Sequence, residues 1–270
     1  MTHTKVVGLC LAAVFALGAV VASAAQAGEY GRCLKAAQVG KKYTGGFEDK
    51  NCQTVNPAGE GKYEWYSGLD RPLGGPLKPG YTSKTTKVVL ASSYGRLECK
   101  TSKDVGEITG VKTDVDLITF TGCTMGGMKC NSEGQVAGTI KTNKLNTTLI
   151  DNGELGPGGA EPVVGEVWTE YAAAGGYIAE YECPSGPLFA RVSGSVSGVN
   201  ARDVNLASTT GKTRFEGGHG EQDLLTEVSS TGLSWEPAAP SVQTTESTIK
   251  TNEKWEIKAA LPCEPYPACL

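Results

Sequence analysis

The chain has 270 residues, with 25 basic and 29 acidic side chains, and its formal net charge of −4 is spread without long runs of one sign. A nucleic-acid partner or an anionic membrane surface would require a basic stripe or a basic helical face, so the composition argues against both. No motif specifies a chemistry. The sequence therefore predicts compartment, fold class and disulfide framework more directly than activity.

Residues 1–27 have the pattern of a secretory signal peptide. Lys5 provides a basic n-region, residues 6–21 form an apolar run, and Ala25-Gln26-Ala27 fits a small-x-small cleavage site. A membrane anchor is the alternative, but the run is short, is broken by glycine and has no basic stop-transfer cluster behind it. We expect a secreted, extracellular mature chain from Gly28, with a charge of −5 because Lys5 leaves the original −4. No membrane span is expected in the mature chain.

Eight of the nine cysteines follow the signal sequence, and an even number in an exported chain predicts disulfides. They are Cys33, Cys52, Cys99, Cys123, Cys130, Cys183, Cys263 and Cys269. Zinc binding is the alternative, but the chain has no C-x-x-C pair and only His219 remains after signal cleavage. We therefore predict neither a metal nor another cofactor.

Residues 28–69 are predicted to form a small aromatic-rich subdomain closed by a Cys33–Cys52 disulfide, since so short a segment cannot build a sufficient core. Tyr63 and Trp65 are among its aromatic residues. They are expected to pack the unit onto the larger domain, and the alternative is a stacking platform for a sugar or a peptide. Residues 70–85 are rich in proline and glycine and predict a linker or a long surface loop.

Residues 86–260 predict a single all-β domain, a β-sandwich or barrel stapled by disulfides. Short runs of alternating apolar and polar residues are separated by Gly, Asn, Asp and Pro, and no helical pattern is found. In residues 96–100, for example, Leu97 and Cys99 alternate with charged side chains, as in a half-buried strand. Residues 261–270 follow as a short tail pinned by its own cysteine pair.

Two segments of this domain are alike. Leu97-Glu98-Cys99 is followed eleven residues later by Gly110, and Tyr181-Glu182-Cys183 is followed eleven residues later by Gly194. Two degenerate repeats explain this spacing, as would two ordinary strand-turn-strand units. If the copies are equivalent, Cys99 and Cys183 lie side by side. The predicted pairs are then Cys33–Cys52, Cys99–Cys183, Cys123–Cys130 and Cys263–Cys269.

An ordered series of short motifs resembles a family of secreted, β-rich actinobacterial proteins that have no known activity. The motifs are GKYEW (61–65), LECK (97–100), GEITG (106–110), FTGC (120–123), GTIKT (138–142), YEC (181–183), FEGG (215–218) and EIKA (256–259). The resemblance covers most of the mature chain and implies export and a shared fold. It implies no ligand and no catalytic residue.

Paired carboxylates are the main catalytic alternative, because glycoside hydrolysis does not require histidine. Glu166, Trp168 and Glu170 alternate along one predicted strand, and Glu180 and Glu182 repeat the spacing. The solvent-facing side of any strand shows the same spacing, so we favour a solvated sheet face. An extracellular hydrolase acting on polysaccharide is therefore the alternative function.

Two weaker motifs involve histidine and aspartate. His219 lies in a glycine-rich loop and could serve a serine nucleophile, but no G-x-S-x-G elbow is present and a lone loop histidine is usually solvated. Asp114 and Asp116, with Asp104 nearby, could hold calcium. Their spacing matches no calcium-loop signature, so surface carboxylates are the favoured interpretation and no metal site is predicted.

The lack of a catalytic motif favours a non-catalytic binding or structural module, secreted or at the cell surface. Exposed aromatic and acidic side chains would suit a glycan or another component of the cell envelope. The candidate ligand-binding residues are Tyr63, Trp65, Glu166, Trp168 and Glu170, and no catalytic residue is predicted.

Overall fold

Every regular element that the structure describes is a β-strand. The computed structural model describes residues 29–68, 80–155, 162–170, 176–184, 188–202, 208–215, 223–229, 236–238, 241–244 and 247–258. The all-β prediction is confirmed in these ranges. They contain no helix of the length and hydropathy needed to cross a membrane.

The strands follow one another along the chain with short connections. In order they are β1 Glu29–Lys35, β2 Gln38–Val39, β3 Lys42–Tyr43, β4 Tyr63–Ser67, β5 Gly80–Thr85, β6 Val88–Ser92, β7 Gly95–Cys99, β8 Thr101–Ile108, β9 Thr113–Thr121, β10 Thr124–Met125, β11 Met128–Lys129, β12 Thr139–Lys141, β13 Leu145–Leu155, β14 Pro162–Glu170, β15 Ala179–Cys183, β16 Leu188–Arg202, β17 Ser208–Arg214, β18 Asp223–Ser229, β19 Glu236–Ala238, β20 Ser241–Thr244 and β21 Ser247–Lys258.

Two antiparallel sheets contain nearly all of these strands. The large sheet has the order β19-β18-β16-β14-β13-β9-β8-β5-β21-β1-β4, with β12 added to β9 and β15 added to β16. Strand β17 pairs with β16 on one side and with β21 on the other, so the large sheet curls over on itself. The small sheet has the order β11-β10-β7-β6-β20, and β2 and β3 form a separate ribbon.

The two sheets share one hydrophobic core, as in a β-sandwich. The small sheet contributes Val88 and Leu97, and the large sheet contributes Ile140, Val192 and Val196. Alternation decides which residues enter the core. In β7 Leu97 and Cys99 are buried while the charged residues between and before them are exposed, as the sequence predicts. Burial of each such aliphatic side chain contributes about 1.5–3 kcal/mol.

The buried side of the large sheet, here called the inner face, changes character along its strands. In β9 the buried residues are Asp114, Asp116 and Ile118, so one strand carries both polar and apolar inward positions. In β8 the usual polarity is inverted, because Asp104 is buried while Val105 is 51% exposed. The inner face is therefore apolar where it meets the small sheet and polar farther along.

Four cysteines lie in one row across neighbouring strands. The registers of β7 with β10 and of β10 with β11, together with a bridge between Asn131 and Glu182, place them side by side. Their order in the row is Cys99, Cys123, Cys130, Cys183. The disulfides are Cys99–Cys123 and Cys130–Cys183, with Cα atoms 4.0 and 4.2 Å apart.

The predicted pairs Cys99–Cys183 and Cys123–Cys130 are therefore wrong. If the two central cysteines of the row paired, the two outer cysteines would be left about 14 Å apart, which is three strand spacings of roughly 4.8 Å. No disulfide spans that distance. Cys99 also lies in the small sheet and Cys183 in the large one, so the two do not occupy equivalent strands. The predicted Cys33–Cys52 disulfide is confirmed. Cys263 and Cys269 lie outside the described residues.

The end of the predicted linker is a strand. Residues 80–85 form β5, which pairs with β8 and β21. This strand could not be predicted from hydrophobic alternation, because its partly or fully buried side chains carry hydroxyl groups. They are Tyr81, Ser83 and Thr85. Strand β1 of the predicted N-terminal subdomain also pairs with β21, in the large sheet. The predicted signal peptide and C-terminal tail lie outside the described residues.

Candidate functional site

The ligand-binding residues predicted from the sequence lie on two strands that are not neighbours. Tyr63 and Trp65 belong to β4, at the end of the large sheet, and Glu166, Trp168 and Glu170 belong to β14, between β13 and β16. No ladder between described strands joins β4 to β14. The structure therefore does not bring these five residues into one site.

Tyr63 and Trp65 make contacts within the N-terminal part of the sheet. A Cβ atom added to Gly31 would lie 2.4 Å from Trp65 Cζ2, so the indole covers this glycine on the neighbouring strand. The indole Nε1 donates a hydrogen bond to Glu29 Oε2 at 3.5 Å. The backbone of Tyr63 exchanges hydrogen bonds with Phe47, each 2.9 Å long. A ligand platform at these two aromatic residues remains a prediction.

The three predicted residues of β14 are paired in register with β13. Glu166, Trp168 and Glu170 are the register partners of three β13 residues that are each 1% exposed, namely Leu149, Thr147 and Leu145. Direct partners in an antiparallel pair share a row across the sheet. His219 lies outside the described residues.

A surface groove of about 470 Å³ runs between β15, the start of β16 and the turn that follows Cys130. We call it the acidic groove. Pockets of about 300–1,000 Å³ are typical of ligand sites. Three glutamates and the Phe189 ring line the groove, together with Gly134 and Tyr181; the glutamates are Glu133, Glu180 and Glu182. Phe189 is 39% exposed, so its ring is open to solvent.

Strand alternation and register place these side chains. In β15 Tyr181 is buried while Glu180 and Glu182 are half-buried, which puts the two carboxylates on the opposite side from the core. In the ladder with β16, Phe189 is opposite Glu182 and Arg191 is opposite Glu180. The aromatic ring, the guanidinium group and both carboxylates therefore share one side of the sheet.

The turn that forms the other wall is fixed to β15. The backbones of Asn131 and Glu182 exchange two hydrogen bonds of 2.9 Å. The Ser132 hydroxyl donates to the carbonyl oxygen of Glu180 at 2.7 Å, and the Cys130–Cys183 disulfide adds a covalent link. Gly134, with φ of 69°, allows the turn to close. The walls are thus held in place before a ligand binds, which lowers the entropic cost of binding.

The groove keeps a net negative charge. Arg191 Nη2 lies 2.9 Å from Glu180 Oε2, and the guanidinium carbon lies 4.8 Å from the centroid of the Tyr177 ring. Among the described residues no ion pair engages Glu133 or Glu182. These two carboxylates can accept hydrogen bonds from hydroxyl or ammonium groups of a ligand.

A second group of carboxylates is buried on the inner face. Asp104, Asp114 and Asp116 are 4%, 3% and 2% exposed, respectively. We call them the aspartate cluster. The interpretation of these residues as surface carboxylates is therefore wrong, because β8 and β9 direct these polar side chains into the interior. The part of the chain that the structure describes has no group of three or more His, Cys, Asp or Glu side chains suited to hold a metal ion.

Asp116 receives hydrogen bonds from two neighbouring strands. The hydroxyl groups of Tyr81 and Thr147 both donate to its carboxylate. Tyr81 reaches Asp116 by passing over Gly106 of the strand between them, since a Cβ atom at Gly106 would lie 2.2 Å from Tyr81 Cζ and 2.5 Å from Asp116 Oδ1. A glycine at this position is therefore a requirement of the contact.

Asp104 and Asp114 are only half satisfied. Tyr30 Oη donates to Asp114 Oδ2 at 2.6 Å, and Ser83 Oγ donates to Asp104 Oδ2 at 3.2 Å. The Oδ1 atom of each aspartate is buried without a hydrogen-bond partner. A buried carboxylate that lacks partners is costly to ionise, so this geometry favours bound protons.

The pKa values follow from this geometry. Burial, with the charge of Asp116 added, raises the pKa of Asp104 to about 9 and that of Asp114 to about 7. Burial also raises the pKa of Asp116, although hydrogen bonds from Thr147, Tyr81 and Asp104 act in the opposite direction. The pKa of Asp104 lies above neutral pH, so this carboxyl group holds a proton at neutral pH. The cluster is a proton-sharing unit enclosed by hydroxyl groups.

Two groove residues were missed by sequence reasoning. Glu133 lies in a tight Ser-Glu-Gly turn, which is a local signal, but nothing in the sequence shows that this turn meets β15. Phe189 lies at the start of a predicted strand with no special pattern. Only the tertiary contact of the turn with β15 brings them together.

Comparison of the chain with family models, with curated proteins and with solved structures finds no match. The geometry of the acidic groove and of the aspartate cluster is therefore the basis for inferring function.

Proposed function

We propose that the protein is an exported, non-catalytic binding module whose acidic groove binds a glycan of the cell envelope. The observation that carries the proposal is an exposed aromatic ring next to carboxylates on walls that are already fixed. A sugar ring has an apolar face that packs on an aromatic side chain, and its hydroxyl groups donate hydrogen bonds to carboxylates. Phe189 supplies the ring, and Glu133 and Glu182 supply acceptors.

Export is supported by the covalent framework and by the N-terminal sequence. The described residues contain three disulfides, and such bonds form and persist in oxidising compartments. Residues 1–27 have the pattern of a cleavable signal. An exported protein with a preformed polar groove would meet envelope glycans directly after secretion.

A glycan array probed with the mature protein tests the proposal. Phe189→Ala removes the stacking surface and should weaken binding to any glycan that scores positive by about tenfold, the equivalent of about 1.4 kcal/mol. Val136→Ala is the matched control, because Val136 is 76% exposed and does not line the groove. Binding of no glycan, or equal binding by the Phe189→Ala protein, would contradict the proposal.

A hydrolase that uses carboxylates is the second candidate. Glu180 and Glu182 are two residues apart on β15, about 6.6 Å at roughly 3.3 Å per residue. Catalytic carboxyl groups of glycosidases lie about 5–9.5 Å apart. The ion pair of Glu180 with Arg191 favours binding over catalysis, since it occupies one carboxylate. Release of sugar product by the wild type, abolished by Glu180→Gln and by Glu182→Gln, would establish the hydrolase instead.

A further inference from the structure

An apolar cavity of about 90 Å³ lies between the two sheets. The small sheet contributes Val88 and Leu90 to its wall, and the inner face of the large sheet contributes Ile118, Leu145 and Val196. The cavity therefore occupies the centre of the shared core, at the apolar end of the inner face.

The few polar groups in the cavity wall have little to offer a water molecule. Among the described lining residues, Thr142 and Tyr181 carry hydroxyl groups. Thr142 Oγ1 accepts a hydrogen bond from Ile118 N at 3.0 Å and lies 3.4 Å from Ile118 O, so it is already satisfied by the backbone. A buried water needs two to four polar partners, and this wall does not provide them.

The size of the cavity suits a small apolar group. One water requires roughly 10–15 Å³ of such space, and this cavity is several times larger. An apolar cavity of about 150 Å³ engineered into another protein stays dry and accepts benzene or xenon. The cavity here is smaller but has the same kind of lining.

The disulfides keep the cavity walls in place. Cys99 lies in the cavity wall, and its bond to Cys123 joins β7 to the residue that precedes β10, next to it in the small sheet. Cys130–Cys183 ties the β10–β11 hairpin to β15. Because the two sheets are linked covalently on this side, they cannot separate freely, and the space between them is a persistent feature.

We propose that this cavity is a second binding site, for a small alkyl or aromatic group no larger than about a benzene ring. Tyr181 of β15 lines the cavity and also borders the acidic groove, so strand β15 separates the two. The cavity site does not depend on the proposed function of the groove.

Titration with benzene, followed by NMR of methyl groups, tests the site. Methyl signals of Val88 and Ile118, in the wall, should shift saturably, and those of Val105, which is 51% exposed, should not. Ala179→Leu places three more carbons in the wall and should weaken benzene binding by at least about tenfold. Ala91→Leu, on the small sheet and outside the cavity, adds the same atoms and should leave affinity within about twofold.

The absence of a saturable shift in the wild type would overturn the proposal, and so would equal affinity in the Ala179→Leu protein. Because that variant could fail to fold, crystals of the wild type under xenon pressure give an independent result. Xenon in the cavity supports the site, and xenon bound only elsewhere overturns it. Benzene binding together with a failed glycan array would overturn the proposed function of the groove and leave the cavity site standing.

Discussion

The two ends of the inner face are stabilised in opposite ways. At one end Ile118 and Leu145 face the small sheet across the cavity, and the Cys130–Cys183 disulfide links the two sheets. At the other end, two residues away on the same strands, Asp116 and Thr147 belong to a buried polar network without a disulfide. The stability of one end therefore depends on disulfide formation, and the stability of the other end depends on bound protons. Reductant and pH should therefore act on different parts of the same face.

The largest effect should come from removing the crosslink at the apolar end. Cys130→Ser with Cys183→Ser opens a loop with a sequence separation of 53 and should lower the free energy of unfolding by about 4 kcal/mol. The matched control is Cys33→Ser with Cys52→Ser, where the separation is 19 and the expected loss is about 3 kcal/mol. Urea unfolding measures both. A larger loss in the control pair would contradict the prediction.

The polar end should respond to pH. Folding raises the pKa of Asp104 from 3.8 to about 9 and that of Asp114 to about 7, so the folded state binds more protons than the unfolded state in this window. The stability that these two protonated carboxyl groups contribute is therefore fully present below about pH 4 and is lost as pH rises through neutral to about 9. The free energy of unfolding falls by up to about 1.4 kcal/mol per pH unit for each proton.

Urea unfolding at about pH 5 and about pH 9 should show the lower stability at the higher pH. Asp104→Asn keeps the shape but removes one titrating group, so the difference should shrink. Glu98→Gln, on an exposed side chain of β7, is the control and should leave it unchanged. A protein that is more stable at the higher pH would rule out proton-sharing in the aspartate cluster.

A single methyl group should disturb the polar end. Gly106→Ala places a Cβ atom 2.2 Å from Tyr81 Cζ, which forces Tyr81 away from Asp116 and should cost about 2 kcal/mol. Gly80→Ala is the matched control, since its Cβ atom would meet nothing nearer than 3.8 Å. Thermal unfolding of both proteins gives the comparison. Equal melting temperatures would show that the close contact of Tyr81 is not required.

The smallest effect should come from removing one donor. Tyr30→Phe deletes the hydrogen bond to Asp114 and should cost about 1 kcal/mol. That bond lowers the pKa of Asp114, so its removal should raise this pKa. The loss of stability with rising pH should then extend to a higher pH. Tyr43→Phe changes a half-buried ring that contacts Lys35 and should be neutral. If the two variants are equally stable, the Tyr30 hydroxyl makes no net contribution.

Local patterns in the sequence predict part of this structure. The alternation of Leu97 and Cys99 with charged residues predicts β7 and its buried side, and the spacing of Cys33 and Cys52 predicts their disulfide. Gly126 and Gly127, between β10 and β11, have φ of 57° and 83°, which glycine adopts readily. These features depend on residues close in the chain, so the sequence contains the information that they need.

The remaining features depend on register between distant strands. The cysteine row requires β7, β10, β11 and the end of β15 to lie in one alignment, and no local pattern encodes that alignment. The aspartate cluster is hidden for another reason. Ser102 and Asp104 alternate with Lys103 and Val105, and in such a strand the polar side resembles a solvent face although it is the buried one. The acidic groove likewise exists only once the turn at Glu133 meets β15.

The order of the four cysteines along the chain favours a non-native disulfide early in oxidative folding. Only six residues lie between Cys123 and Cys130, whereas the native pairs have separations of 24 and 53. The shortest loop closes most easily, so the first disulfide to form should join Cys123 to Cys130. Cys99 and Cys183 would then have no partner within reach. Reaching the native bonds then requires attack by a thiolate on that early crosslink. Efficient oxidative folding of this protein should accordingly depend on a disulfide isomerase.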